Sequence, residues 1–554
     1  MPFVGEIFSQ LKAAADTKVL LEIRDGQVTG VTGAELLELI RKARTFLAAK
    51  GLKKGDRCGL LAANSIRWMA LDLAAMAEGL IVVPLYSRQA PAELVAMIRD
   101  STPALVCCGD TTLLGGIRQN WPDRGCSEAP PHFLFDEIFA GAEGITLDRP
   151  QVVDTDPVTI IYTSGTSGEA KGVVLTAANV GFMLGCTSAR LDLLMGGRSG
   201  QDRIFHYLPF SFCASWIAML TFLLRGSLVT LNTDLTKIPS DMPATAPHYF
   251  LNVPQLLERM RRGVDEQIAQ KGGIAQAIYS RAKAAQARQK EKRAQAGDGL
   301  WLWLANAVVF PAIRKKMVGD NLKALICGSA PLTPETQDYF SMLGIPVLQV
   351  YGLTETTGIC TMDDPNEVAA GRVGPAIPGI EMRLGENDEI VVRGPNVFPG
   401  YWNRPQQTAE TLRDGWFHSG DQGEMDASAK WRIVGRIKNL IVLGSGHKIA
   451  PETIEEEIGR HLLGAQQVVI VGNGRGYLSA IITGNVSGEQ VQAALDAVNP
   501  ELPHYKQVRA FFLRVEPFSI ENGMLTANGK LKRDLISARM KNEIEQMYQV
   551  RQAV

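Results

Sequence analysis

The chain has 554 residues, of which 46% are hydrophobic and 21% charged, with a formal net charge of −1. That length exceeds what one hydrophobic core usually supports, so two or more domains are expected. A charge near zero gives no electrostatic reason for nucleic acid as a partner, and the composition is that of an ordinary globular protein.

The N-terminus, Met1-Pro-Phe-Val-Gly-Glu-Ile-Phe, lacks a basic region followed by an apolar core, so no signal peptide is expected. Helical periodicity runs over 34–50. Gly55-Asp56-Arg57 then turns into a short apolar strand from Cys58 to Ala62. Asn64-Ser65 caps a helix through Ala77, Ile81 to Leu85 is a strand, 91–100 is helical, and Ala104 to Cys108 is a strand again. This alternation predicts α/β architecture, with mostly parallel sheets covered by helices.

Residues 159–175 carry the most information. Ile160, Ile161 and Tyr162 read as a strand, hydroxyls and glycines follow, and after Lys171 a second apolar run begins. Gly165 and Gly168 allow close approach to an anion. Thr163, Ser164, Thr166 and Ser167 offer hydroxyls, and Lys171 a compact cation. Gly168 and Lys171 are three apart and β-branched residues follow, so this is not a Walker A loop opening a helix. A Ser/Thr/Gly loop alone is more often a plain turn; two flanking strands and a lysine favour a phosphate cradle.

Strand and helix alternate again over 203–231 and 321–361, and 277–293 form a strongly basic helix. That helix is either a solvated face or a surface resting on anionic lipid. The apolar stretch Leu300 to Ile313 behind it is too short to span a bilayer and contains Pro311. From 378 to 403 the character changes to short β segments. After Gly435-Arg436 come a hairpin, a helix from Pro451, a strand at 468–471 and a terminal helical run, which sets a domain boundary close to Lys438. The eight cysteines form no Cys-x-x-Cys pair, so reduced core thiols and a cytoplasmic location are expected.

Four further stretches suit one chemistry. Gln349-Val-Tyr-Gly-Leu-Thr-Glu355 gathers an aromatic ring for a flat base, a hydroxyl for phosphate and a carboxylate for magnesium. Gly415-Trp-Phe-His-Ser-Gly-Asp421 supplies an acid suited to a ribose diol. Gly435-Arg-Ile-Lys-Asn439 puts an arginine where domains should meet, and Leu525 to Arg533 carries Lys530 behind a flexible turn. Each alone reads equally well as a turn, an ion pair or a basic tail.

Together, in this order, these stretches resemble the signature motifs of the acyl-adenylate-forming superfamily, most of all its long-chain fatty acyl-CoA synthetases. The resemblance spans about residues 30–540. It implies an N-terminal adenylation domain over 1–436, with a β-rich subdomain, and a small mobile α+β domain over 437–554 hinged near Lys438. It also implies a reaction that consumes ATP, Mg2+, a carboxylic acid and CoA through an acyl-AMP intermediate. The loop Thr163 to Lys171 would embrace the β- and γ-phosphates. Gly328, Ser329 and Ala330 would lie along the adenine, with Tyr351 and Gly352 at the ring. Thr354 would meet the α-phosphate, Glu355 the magnesium, and Asp421 the ribose beside Arg436. Lys530 would bridge carboxylate and α-phosphate. Ser445, Gly446 and His447 would line the pantetheine channel after rotation.

Phe210, Phe212 and Trp216 suit an apolar acyl tunnel or simply a core. Two positions depart from the long-chain group, which usually has histidine where Phe212 stands and Asn-Gly-Glu where this chain reads Gly444-Ser-Gly-His-Lys448. A medium- or long-chain fatty acid is the first expectation, an aryl acid the alternative. CoA is the expected acceptor and an acyl carrier protein the alternative. An inactive membrane-binding relative is a third reading, against which Lys171, Glu355, Asp421 and Lys530 all stand. Peripheral membrane contact through 277–313 is a separate expectation.

Overall fold

The computed structural model describes residues 2–121, 128–140, 147, 150–164, 170–197, 200–462, 464–520, 522–526 and 529–549. Two large sheets dominate the N-terminal part. In the first, strands Lys18–Arg24, Leu228–Asn232, Arg203–His206, Tyr249–Asn252, Ala324–Cys327 and Val347–Tyr351 run parallel, with an antiparallel strand at each edge. The second sets Ile81–Leu85, Arg57–Leu61, Leu105–Cys108 and His132–Leu134 in parallel, extended by the antiparallel pair Pro157–Ser164 and Ala170–Thr176. The α/β expectation therefore holds, and the strands and helices read between residues 34 and 108 are present in that order; after 471, by contrast, the chain forms two more strands, Leu478–Gly484 and Val508–Arg514, before the terminal helices.

Helix Ile66–Ala77 shows why the sheets can share a core. Ser65 caps it by accepting from the Trp68 N–H, and every residue from Trp68 to Met76 is buried. A helix that is apolar all round must be covered on all sides. It packs against strands of both sheets, Lys18–Arg24 of the first and Arg57–Leu61 and Ile81–Leu85 of the second.

Beyond residue 380 a small antiparallel sheet forms from Glu381–Leu384, Glu389–Arg393, Trp416–Met425, Leu412–Arg413 and Trp431–Arg436. The chain then builds a separate core around a three-stranded sheet, Ala465–Val471, Leu478–Gly484 and Val508–Arg514. Helices Pro451–His461 and Gly488–Val498 cover this sheet. The organisation is two-domain, and the second domain is α+β. Among the described residues seven cysteines are free thiols, six of them buried.

Candidate active site between the two domains

The cleft is built first by register. In the hairpin Pro157–Ser164/Ala170–Thr176, Thr163 stands opposite Lys171. Gly165, Thr166, Ser167 and Gly168 lie outside the described residues, as does the Ser164 side chain. Strand Gly400–Tyr401 pairs with Val173 and Val174, which brings the Tyr401 ring under the Lys171 ammonium, 5.1 Å from centroid to Nζ. The Tyr401 hydroxyl donates to Glu355 Oε1 at 2.9 Å. Lys171 is held below the usual lysine value, first by desolvation and then by Lys438, with Glu355 and Glu410 opposing. Lys171, Lys438 and Glu355 thus share one electrostatic neighbourhood.

A second pairing sets the other wall. Asp421 and Arg436 face each other across the antiparallel strands Trp416–Met425 and Trp431–Arg436. Arg436 Nε lies 2.9 Å from Asp421 Oδ1, and the Tyr351 hydroxyl donates to Asp421 Oδ2 at 2.9 Å. Only 4% of Asp421 is exposed, so both carboxylate oxygens are satisfied in a site that water barely reaches. Burial, and next the Asp421 charge, push the Tyr351 phenol well above its ordinary value. Glu389 shapes the approach, accepting from the Gly420 N–H at 2.9 Å and lying 2.7 Å from His418 Nδ1.

Tyr351 ends a parallel strand, and Gly328-Ser329-Ala330 follows its neighbour Ala324–Cys327, so both segments sit at the carboxyl edge of one sheet. Open α/β sheets bind ligands there. Ser329 has φ +74°, the left-handed region that non-glycine residues seldom occupy. Ser329 and Ala330 are exposed. At Gly352 a Cβ would come within 2.5 Å of the Gly358 carbonyl, so the turn carrying Thr354 and Glu355 excludes any side chain there.

Lys530 arrives from the second domain. Its turn is closed by Thr526 N–H donating to the Lys530 carbonyl at 2.8 Å and by the Lys530 N–H donating to Thr526 Oγ1 at 3.1 Å. The residue is exposed, yet its ammonium lies in the field of the cleft. Desolvation first and Arg436 second lower it, while Asp421 and Glu355 raise it. Solvent reaches the turn, which limits how far that field can act. Two ion pairs join the domains alongside, Arg460–Glu335 at 3.1 Å and Lys532–Glu93 at 3.5 Å.

The loop Ser445-Gly446-His447 is not part of this assembly. All three residues are exposed. Ser445 Oγ contacts His447 Nδ1 at 2.9 Å, and the His447 ring stacks on Tyr505 at 4.2 Å.

The three apolar candidates divide. Phe210 and Trp216 are each 1% exposed. Phe210 packs on Trp68 and His206, and Trp216 Nε1 donates to Asp72 Oδ2 at 2.8 Å. Burial drives Asp72 up to about 7, opposed by that hydrogen bond. Phe212 is half-buried beside Tyr86, with ring centroids 5.3 Å apart. Helix Cys213–Leu224 starts next to it, and the Glu355 charge reaches Cys213. Of the three, Phe212 has surface left for a ligand and stands at the cleft.

Residues 9–402 match the AMP-binding enzyme family, and 438–552 match the AMP-binding enzyme C-terminal domain. The chain belongs to the AMP-binding enzyme family. It is 28% identical to the long-chain-fatty-acid–CoA ligase FadD15 of Mycobacterium bovis, over 98% of this chain and 96% of that one. It is 25% identical to long chain acyl-CoA synthetase 3 of Arabidopsis thaliana, over 96% and 88%. The structure of o-succinylbenzoate coenzyme A synthetase from Bacillus subtilis in complex with AMP superposes with a TM-score of 0.74. There the identity is 20%, and 96% of this chain and 97% of that one are covered.

Within this AMP-binding enzyme the residues fit a magnesium ion in one specific way. Among the described residues no cluster of three or more His, Cys, Asp or Glu could cage a metal. Glu355 presents a single carboxylate, one oxygen of which is engaged by Tyr401. That suits an ion carried mainly by substrate phosphates. Tyr401 and Glu389 escape a reading by motif. The signal for Tyr401 was its strand-like setting after Phe398-Pro-Gly, but nothing local says that this strand pairs with the phosphate hairpin.

Proposed function

We propose that this AMP-binding enzyme is an ATP-dependent acid:CoA ligase that activates a medium- or long-chain fatty acid. One observation carries the reading: Tyr351 and Glu355, four residues apart, are held by the Asp421–Arg436 pair and by Tyr401 beneath Lys171, and Lys530 of the second domain feels the charges of Arg436, Asp421 and Glu355. A carboxylate attacking the α-phosphorus of ATP sets an anion against a polyanion, so the protein must place cations where charge gathers. The new C–O–P bond forms as the bond to pyrophosphate breaks. The CoA thiol then attacks the acyl carbon, loses its proton, and AMP leaves.

In this reading Asp421 holds the ribose hydroxyls, with Arg436 beside it, and the Tyr351 ring, fixed through its hydroxyl, takes the adenine along Gly328-Ser329-Ala330. Gly352 keeps the turn tight so that Thr354 meets the α-phosphate. Lys171, with the loop from Thr163 through Gly168, takes the departing phosphates. Lys530 bridges the two reacting groups. Magnesium on Glu355 would neutralise phosphate charge when bound. The domains 1–436 and 437–554 would rotate about Lys438, carrying Ser445, Gly446 and His447 to the thiol. CoA is the acceptor in the leading reading, and a carrier protein in the second.

The fatty acid rests on the two long-chain relatives. An aryl acid is favoured instead by Phe212, half-exposed beside Tyr86, a flat aromatic lining where the long-chain group usually has histidine. Pyrophosphate exchange and CoA thioester formation across a panel of fatty and aromatic acids test the proposal. Exchange and thioester with fatty acids are expected. Thioester from aryl acids alone would select the alternative, and no CoA thioester from any acid would sink the ligase reading.

A further inference from the structure

We infer that the helical run Asp298–Val318 is a docking surface for a bilayer rich in anionic lipid. This deepens the proposed function, whose substrate would partition into such a bilayer, but it stands on its own geometry.

The run consists of α-helix Asp298–Leu304, a wide π turn Ala305–Val309 and α-helix Phe310–Val318. One side is anchored: Ala305, Val309, Phe310 and Val318 are buried in a core with Tyr279 and Ala282. The run's exposed positions are largely apolar, though Asn306, Lys315 and Lys316 are among them. Leu300, Trp303 and Val308 are 57%, 64% and 64% exposed. A helix that is apolar on both faces is ordinarily covered on both. No described helix is long and apolar enough to cross a membrane, so a cover would be met by lying in the interface. Tryptophan prefers that depth, where its ring is apolar and its N–H is wet.

Charge complementarity selects the occupant. The preceding helix Gly273–Lys290 and the turn after it bring Arg281, Lys283, Arg288, Lys290, Lys292 and Arg293 against one acid, Glu291, in a chain whose net charge is −1. Arg281 stacks on Trp301, its guanidinium carbon 4.4 Å from the ring centroid. Arg288 pairs with Asp298, Lys283 with Asp265 and Lys290 with Asp338. The Lys283 and Lys290 pairs are exposed enough to be weak and readily exchanged for lipid phosphate. Lys315 and Lys316 add two exposed cations beyond the apolar tips, Lys315 in an exposed pair with Asp320 at 2.9 Å and Lys316 donating to Gln267 at 2.8 Å. Exposed apolar tips on a run that neighbours a basic helix match a headgroup layer, whereas a folded protein partner would call for a groove or a flat apolar patch.

The test is co-flotation of the full chain with vesicles of phosphatidylcholine, with and without phosphatidylglycerol. Binding is expected only with the anionic lipid, weakening as salt rises. The variant Leu300→Ser/Trp303→Ser/Val308→Ser changes exposed side chains and should fold. It should lose about tenfold or more in partitioning. Its ligase activity on a water-soluble acid without vesicles should be unchanged. Absence of wild-type flotation, or flotation that the triple variant keeps, would overturn the inference. So would a wild-type dimer in sedimentation that the same variant abolishes, because the face would then be a contact between copies. Failure of the ligase reading would appear separately, in the vesicle-free assay.

Discussion

The nucleotide face and the thiol-side loop carry comparable motifs, yet the structure treats them differently. Asp421, Arg436, Tyr351, Glu355, Tyr401 and Lys171 are locked into mutual pairs from five separate segments, and Lys530 of the other domain lies within the reach of their charges. Ser445 and His447 pair with each other and with Tyr505 of their own domain, and all three residues of the loop are exposed. In the function proposed above, one half of a two-step reaction is assembled and the residues of the other half lie outside it. A polyanion must be met by prearranged cations, and those cations obstruct a thiol approaching the same carbon. If the second domain rotates as proposed, carrying the two sets on separate loops of it would let each be built without compromising the other.

The largest effect should come from breaking the assembled half. Lys530→Ala removes a cation from the point where charge develops. Acid-dependent pyrophosphate exchange should fall about 10²–10³-fold, while thioester formation from supplied acyl-adenylate stays within a few-fold. Equal loss in both assays would show that Lys530 does not belong to the first step alone. The mirror variant is His447→Ala. It should slow only the thioester step, by about tenfold, the loss of one modest contact. A fall in pyrophosphate exchange would erase the contrast between the two faces.

The join between the domains should respond more gently. Arg460 reaches Glu335 across the boundary but also has Glu456 at 2.8 Å and Glu457 at 2.7 Å on its own helix. Glu335→Gln therefore releases the second domain without stranding a buried charge. The pair is half-exposed and worth at most about 1 kcal/mol. Exchange should slow and single-turnover thioester formation quicken, each by a few-fold at most. An unchanged ratio would mean that this pair does not bias the domains.

The residues proposed for the nucleotide face could be picked out because they come in short contiguous strings whose glycines and hydroxyls have few other uses. What joins those strings could not be. That Asp421 faces Arg436 is a matter of strand register, and that Tyr401 supports both Lys171 and Glu355 depends on an edge strand pairing with a distant hairpin. Fold class was legible for the opposite reason, because strand–helix alternation is a signal averaged over the whole chain. The acid side was ambiguous in principle. Phe210, Phe212 and Trp216 lie within seven positions of sequence, and a tunnel wall asks for the same side chains as a core. Trp216 is settled into the core by the hydrogen bond it donates to Asp72 on another helix.

That hydrogen bond allows the smallest expected effect on turnover to be separated from a sizeable effect on stability. Asp72 is fully buried, its second oxygen has no protein partner, and burial carries its pKa from 3.8 to about 7. The folded state therefore keeps a proton that the unfolded chain has released. Stability from this group is greatest below about 4, declines as pH rises, and levels off above about 7, a swing of a few kcal/mol. Asp72→Asn can still accept from Trp216 Nε1 and cannot ionise. Denaturant titrations at pH 5 and pH 8 should show the wild type losing more stability over that interval than the variant. Acid selectivity should be the same for both proteins, because Trp216 supports the fold from behind the cleft. A variant that keeps the wild-type pH slope would show that Asp72 is already ionised in the folded state. A changed acid profile would instead move Trp216 from the core to the wall of the acid site.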